Sequence, residues 1–464
     1  MIADPFPPSL GAAVVTPNPH NSLSVSVEIE ASFADSARLR LQTSGEPPDT
    51  TPWVALTAGK GTLLALGLLE ERAYTTIVDL AGPEGRASAT ADTFTTGALP
   101  ERLREVTIAT TGTPTHPLTL VNGGNLGTPG LVYAFDRQGR IRWYRELHEY
   151  PVAPNPAKET KQQPNGHITV FVGETSGFEP LDGRYVELGL DGSIVREYEA
   201  AGGLYTDSHE LLLDFEGGAL ERIHLLAYDH RTMDFRPWGG IDGALVAGHR
   251  LQRLTAAGAV EFEWNAWDHL DPADWIEPPE SLRNQPVLDF EHPNSIDVDS
   301  DGNYVVSWRH LGEVTAIDGR SGDILWRLGG VHNEFAFVGD PLGFFSAQHM
   351  ARTLPNGNLL LFDNGVRHDP PQSRAVEYAL DLDARTATMV WEYRPDPPLF
   401  SMFVSGAERL TNGNTLVGFG VPAHIAEVTP AGSVVWSAEP RWRGQPAIFY
   451  RAHALPSLYG YQRP

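Results

Sequence analysis

Ser346-Ala347-Gln348-His349-Met350-Ala351-Arg352-Thr353-Leu354-Pro355-Asn356-Gly357-Asn358-Leu359-Leu360-Leu361-Phe362-Asp363-Asn364-Gly365 is the stretch on which the reading of this chain turns. An apolar-rich run enters an Asn-Gly turn and a second, Leu359 to Phe362, leaves it, the pattern of a β-hairpin. His349 stands seven residues before Asn356, and Asn364 stands seven after Gly357. An in-register hairpin therefore brings the two side chains together at its open end.

Weaker copies of this hairpin recur from Pro117 onward. Inner turns read at Asn165-Gly166, Asp301-Gly302 and Asn412-Gly413, with Glu216-Gly217 and Asn122-Gly123 fitting less well. Each is followed by a second hairpin whose last strand carries an aromatic residue: Trp143, Tyr198, Trp264, Trp326, Trp391 and Trp436. Two hairpins per repeat make a four-stranded blade, so the expectation is a six-bladed β-propeller over residues 99–464. Ahead of it, Leu23, Val25, Val27 and Ile29 alternate with polar residues, and strands are expected at 37–42, 53–56, 73–80 and 87–95. Tyr74 follows Leu68-Leu69 as in the tyrosine corner of fibronectin-type sandwiches. Residues 1–98 are thus expected to form a small N-terminal β-sandwich, fibronectin-III-like, in an all-β chain.

The composition fits. A chain of 464 residues is long for one domain, and 46 Gly, 37 Pro and only 20% charged residues suit an all-β protein rich in turns. Lys+Arg of 34 against Asp+Glu of 59 gives a net charge of −25, which argues against nucleic-acid and anionic-membrane partners. With no Cys, disulfides, thiolate nucleophiles and Cys-ligated zinc are excluded. The start, Met1 to Pro8, lacks a basic region and an apolar core, so no signal peptide is read there. The apolar run Thr62 to Leu69 is too short to span a bilayer.

Indexing each inner strand from its turn places His349, His209, Lys158 and Ser405 at one equivalent position. His292 lies nine before Asp301, on the same face by parity, and Arg309 lies seven after Gly302 on the neighbouring strand. His209, His292, His349 and Arg309 are expected to converge at one mouth of the channel, with Asn294 pointing the same way. Imidazoles beside a guanidinium suit a compact oxyanion. Neutral His is a competent nucleophile towards phosphorus or sulfur. Three His could instead hold zinc with an open fourth position, but a metal beside an Arg needs a compensating anion and no carboxylate is evident to orient the imidazoles. The run Asp297-x-Asp299-x-Asp301-Gly302 opens like a calcium loop, but Trp308 stands where that loop needs Glu, so an acidic turn is expected.

Phe290-Glu291-His292-Pro293-Asn294-Ser295-Ile296, Ser307-Trp308-Arg309-His310, Trp326-Arg327-Leu328-Gly329-Gly330, Gln348-His349-x-Ala351-Arg352, Phe362-Asp363-Asn364-Gly365 and Tyr450-Arg451-Ala452 occur in this order. Together they resemble the bacterial arylsulfotransferases that use an aryl sulfate rather than a nucleotide sulfate. The resemblance runs from about Pro117 to the C-terminus. It implies a metal-free, cofactor-free propeller in which a histidine is transiently sulfated, with ping-pong transfer from an aryl sulfate donor to a phenolic acceptor. His349, in the Gln-His motif, is the implied nucleophile. His292 and Asn294 are implied as sulfate contacts, Arg309 as the arginine of the Ser-x-Arg-His motif, and His209 as the histidine of the earlier blade. Asn364, Trp308 and Phe345 are candidates for substrate binding, the last two with Phe344 for the aromatic ring. Trp308 stands where a smaller residue is common in that motif. Members of that family are usually exported and some carry a disulfide, so the resemblance implies an exported or periplasmic protein, while this chain shows neither a signal peptide nor a Cys. Homo-oligomerisation stays open. The alternatives are a metal-dependent propeller hydrolase or lyase using the same histidines, and a non-catalytic propeller scaffold.

Overall fold

The computed structural model describes residues 6–126, 130–150, 158–176, 179–276 and 287–459. Residues 1–5, part of the start read for a leader, lie outside the described residues. The chain is nearly all sheet, at 54% strand and 3% helix. Among the described residues, no helix is long and apolar enough to cross a membrane, which says nothing of a β-barrel.

The first unit is two sheets packed face to face. One joins Ser9–Pro17, Val25–Ser32 and Lys60–Ala65; the other is built on Ser36–Gln42, Ala73–Gly82 and Gly85–Thr95. Val25, Val27 and Ile29 are buried with Leu39, Leu41, Leu63, Val78 and Leu80, while the alternate residues face outward as period-2 patterning requires. Tyr74 Oη accepts the Leu69 backbone N–H at 2.9 Å, which ties the strand entry to the preceding corner. The strands Ser9–Pro17 and Lys60–Ala65 were not among those the alternation marked. Most of the first is exposed or half-buried, so no apolar stripe announces it. The unit is held to the rest of the chain by Ser22 N–H on Tyr144 Oη, 2.9 Å, and Leu66 N–H on Tyr459 Oη, 2.9 Å.

After it, six sheets of the described chain follow, each a four-stranded antiparallel meander at its core. Their inner strands are Ala452–Leu455 (sheet I), Thr160–Gln162 (II), Tyr205–Glu216 (III), Pro293–Val298 (IV), His349–Thr353 (V) and Gly406–Arg409 (VI). Every neighbouring pair shares an apolar core, and the ring closes because Tyr133 and Phe135 of sheet I pack with Ile425 and Trp436 of sheet VI. Trp143 fills the I–II core, Trp264 the III–IV core and Trp326 the IV–V core. These are the aromatics that marked the outer hairpins.

Sheet I departs from the expected order. Asn122-Gly123 is not its inner turn: Leu118–Asn122 is a second strand, and the inner strand comes from the far end of the chain, with Leu120 opposite His453. A second tie runs the other way, as Val106–Gly112 adds to the outer edge of sheet VI. Both termini of the ring are thus stitched to sheets made by the opposite end. The calcium-like run is a turn in which Asp299 Oδ1 accepts the N–H groups of Asp301 and Asn303, 2.9 Å each.

Tyr74→Phe should lower the denaturant-unfolding free energy of the first unit by about 1–2 kcal/mol, because the buried Leu69 N–H loses its acceptor. Urea titration followed by fluorescence measures it.

Candidate active site

His349 opens the inner strand of sheet V. The hairpin is not in the simple register: His349 pairs with Phe362 and Arg352 with Leu360, with a bulge between them at Met350, whose φ is +52°. Asn364 nevertheless reaches the ring, because its Oδ1 lies 2.8 Å from His349 Nδ1. The Ala347 carbonyl is also on Nδ1, at 3.1 Å. Asn364 Nδ2 donates to the carbonyls of Ser401, 2.7 Å, and Val404, 3.1 Å, so its oxygen is the atom turned to the histidine. Two acceptors on Nδ1 require the proton there, which leaves the Nε2 lone pair open. Burial and the nearby Arg309 charge hold the His349 pKa well below its ordinary value. The ring is a neutral imidazole of fixed tautomer.

Gln348 sets the strand that carries it. Its side-chain Nε2 donates to the backbone carbonyls of Glu313, 2.9 Å, and Trp308, 3.1 Å, locking sheet V to sheet IV. Arg309 leaves sheet IV immediately after Trp308; its backbone N–H donates to His292 O at 2.9 Å and its Nη2 to Met402 O at 3.0 Å.

The other imidazoles are oriented by carboxylates that the sequence reading did not find. His209 Nδ1 lies 2.9 and 3.0 Å from the two oxygens of Asp207. His292 Nδ1 lies 2.5 Å from Asp289 Oδ2, and Asp289 O accepts from His310 Nδ1 at 2.5 Å. The His209 and His292 ring centres are 4.7 Å apart, as are those of His292 and His310. Burial pulls the His209 pKa down to about 4 against the pull of Asp207, so it too is neutral at pH 7. Burial would raise the Asp289 pKa, but His292 outweighs it and holds the carboxyl ionised. Lys158, half-buried, is brought beside Asp207 and Asp289; burial lowers its pKa.

Behind Asp207 lies His249, whose Nδ1 is 3.1 Å from Glu291 Oε1 and whose Nε2 is 3.7 Å from Asp207 Oδ2. Burial alone would lower the His249 pKa, but these two acceptors push it up to about 10. Burial pushes Glu291 up to about 7.

Not every expected residue stands at the mouth. Asn294 is buried, and its Nδ2 donates to Gln348 O at 2.6 Å, so its amide nitrogen ties sheet IV to sheet V. Trp308 lies in the core between sheets III and IV, 5.7 Å from Trp264, with its indole N–H on Thr315. Phe345 lies in the core between sheets IV and V, 6.0 Å from Phe337. The physical reason is that Trp308 ends a strand covered on both faces and Phe345 lies in the segment leading into sheet V, wedged against sheet IV, so each is claimed by the contact between sheets. Phe344 packs on His368, 4.9 Å, and under Arg367. Asp207, Asp289, His249 and Glu291 were missed. Only the local spacings Asp-x-His and Asp-x-x-His could have signalled the first two, and both are common.

An arylsulfotransferase (ASST) family model matches residues 105–439. The chain belongs to the arylsulfotransferase family. It is 26% identical over 364 residues to the arylsulfate sulfotransferase AssT of Escherichia coli O6:H1, a match covering 64% of this chain and 58% of that protein. The chain thus spans under two thirds of that relative's length. Among solved structures, it overlays on a protein of unknown function from Bacteroides caccae with a TM-score of 0.43 at 14% identity, covering 72% of this chain and 98% of that one. It overlays on a catalytically inactive virginiamycin B lyase from Staphylococcus aureus with a TM-score of 0.35 at 12% identity, covering 71% and 87%.

The raised pKa of His249 gives a stability term that is whole below about pH 6.5 and is lost as pH rises towards about 10. By pH 8 Glu291 has largely finished titrating, so thermal melts between pH 8 and 10 should fall less steeply in His249→Gln than in the parent.

Proposed function

We propose that this protein is an aryl-sulfate sulfotransferase working by ping-pong transfer through a sulfohistidine at His349. In this reading each of the six sheets is one blade of a propeller spanning residues 99–464, with residues 1–98 as a separate sandwich. The observation that carries it is the fixed tautomer of His349, which leaves a bare Nε2 lone pair beside the Arg309 charge. Such a nitrogen attacks the sulfur of the donor. The S–N bond forms, the S–O(aryl) bond breaks, and the aryloxide leaves with the electron pair. Arg309 balances the sulfuryl oxygens, and positioning supplies most of the acceleration.

His292, backed by ionised Asp289, gives the aryloxide its proton and later takes the proton of the acceptor phenol, whose pKa is near 10. The phenol oxygen then attacks sulfur, the S–N bond breaks, and His349 regains its lone pair. His209 is less suited to the acid step, since with a pKa of about 4 and its Nδ1 turned to Asp207, its Nε2 carries no proton at pH 7. Asn364 positions the nucleophile and accepts from Nδ1–H when the ring gains charge.

His349→Asn should cut transfer from 4-nitrophenyl sulfate to a phenol by at least about 10³-fold. Intact mass after donor exposure should show one added sulfuryl group in the parent, mapped to the His349 peptide, and none in the variant; a sulfated variant would overturn the assignment. Asn364→Ala should lower kcat by about 10²-fold with KM little changed, as expected for a misplaced nucleophile. Because the His349 pKa is depressed, the rate of sulfo-enzyme formation from 4-nitrophenyl sulfate should stay within about twofold between pH 7.5 and 5.5. An imidazole of ordinary pKa would lose roughly tenfold over that range.

One observation favours a second reading. Asp289, His292 and His310 offer ligand atoms within 4.8 Å of one another, a set that a zinc-dependent hydrolase or lyase could use. Activity that falls on chelation and returns with added metal would select it; chelator-insensitive sulfation of His349 would exclude it.

A further inference from the structure

Of the three aromatics expected to hold the substrate ring, Trp308 and Phe345 are consumed by inter-sheet cores, and Phe344 packs on His368. The segment before the inner strand of sheet VI stands otherwise. Phe400, Met402 and Phe403 are 38%, 50% and 42% exposed, although they lie within four consecutive residues. Single exposed apolar side chains are ordinary, but three together form a surface that water does not favour.

The backbone beneath them is firmly held. Ser401 and Ser405 are fully buried. The Ser405 hydroxyl meets that of Ser401 at 2.9 Å, and Ser401 Oγ accepts Val421 N–H at 3.1 Å. Ser401 N–H donates to Ser373 Oγ at 2.9 Å, and Ser405 N–H to Tyr450 O at 2.8 Å. Val404 holds a φ of +56°, an unfavourable conformation for a β-branched residue that the surrounding bonds must sustain. The loop is also joined to the reaction centre. Met402 O accepts from Arg309 Nη2, and Ser401 O and Val404 O accept from the Asn364 amide that orients His349.

From this we infer that Phe400, Met402 and Phe403 form the rim that grips the aromatic ring of donor and acceptor, and so set which aryl sulfates the site accepts. The inference rests on the sulfotransfer reading and adds the location of ring recognition to it. The loop's carbonyls fix the guanidinium and the nucleophile, while its side chains stand at the margin of the same site. Aromatic faces and a polarisable thioether suit a flat ring whose charged end is already held by Arg309. The ring thus enters between a rigid apolar edge and a cationic floor.

The test uses the full chain with phenyl sulfate, 4-nitrophenyl sulfate and 2-naphthyl sulfate as donors. In Phe400→Ala/Phe403→Ala, KM for all three should rise at least about tenfold, and the preference for the naphthyl over the phenyl donor should shrink towards unity. The kcat should remain within about threefold, and His349 should still be sulfated at saturating donor. If the double variant does not fold, Phe400→Leu and Phe403→Leu singly carry the same comparison, since each keeps apolar bulk and loses the ring. KM values and ring preference within twofold of the parent would overturn the rim. So would an unchanged KM accompanied by an altered sedimentation coefficient, which would make the patch a contact between copies of the chain. A parent protein that forms no sulfo-enzyme with any of the three donors would instead refute the sulfotransfer reading, and this inference with it.

Discussion

Arg451 is the buried charge on which the ring depends. Its guanidinium is fully buried, and Nη1 meets Glu159 at 2.8 Å and Glu210 at 2.9 Å while Nη2 donates to Asn294 O at 2.6 Å. The residue just before the C-terminal strand thereby grips the inner strands of sheets III and IV and the entry to that of sheet II. Arg352 of sheet V reaches the same Glu210 at 2.6 Å, and Lys161 of sheet II also pairs with it. Taking a guanidinium out of water costs several kcal/mol unless its partners are well placed, so the network selects one arrangement of strands more than it adds stability. The anionic partners respond as expected: burial alone would raise the Glu210 pKa, but the three cations hold it well below the usual range. Adjacent residues then divide the two tasks: Glu210 joins the network, while His209 before it turns to Asp207.

The mouth itself is where the backbone departs from ideal strands. Among the described residues, eleven non-glycine positions have positive φ, and five of them, His292, Ala347, Met350, Val404 and Ser405, border the site. Each such conformation costs of order 1–3 kcal/mol and persists only where the surroundings over-determine it. Here they are over-determined. Ala347 and Met350 flank Gln348 and His349, which sheet IV and Asn364 clamp, and His292 is held through both its backbone N–H and its ring by Asp289. The kinks interrupt the regular strand beside His349 and at His292.

Those kinks also mark the limit of what residues in order reveal. The outer hairpins were legible because a turn residue is followed, four or six positions on, by an aromatic in each, and each aromatic packs into a core between sheets. The inner strand of sheet I was not, since its place is decided by ring closure between residues more than 300 apart, His453 opposite Leu120. Counting from turns brought out the histidines, because they lie on equivalent strand ends. It said nothing about Asp207 or Asp289, which reach their imidazoles around a bend rather than across a ladder. It also misjudged Trp308, because a strand buried on both faces has no outward side on which an aromatic could wait for a ligand.

In the proposed reaction, the division of labour among the imidazoles follows from what sits on each Nδ1. His209 and His292 face carboxylates, Asp207 and Asp289, which hold each ring by its Nδ1. His349 alone of the three faces a neutral amide, with a guanidinium nearby that opposes any positive charge on it. A carboxylate there would make Nε2 more basic, but it would also stabilise the charged sulfo-imidazole that the proposed reaction must break in its second half. An amide aligns the ring and fixes its proton while leaving the sulfuryl group easier to expel. A nucleophile that must be regenerated is better served by orientation than by basicity, and Asn364 supplies orientation.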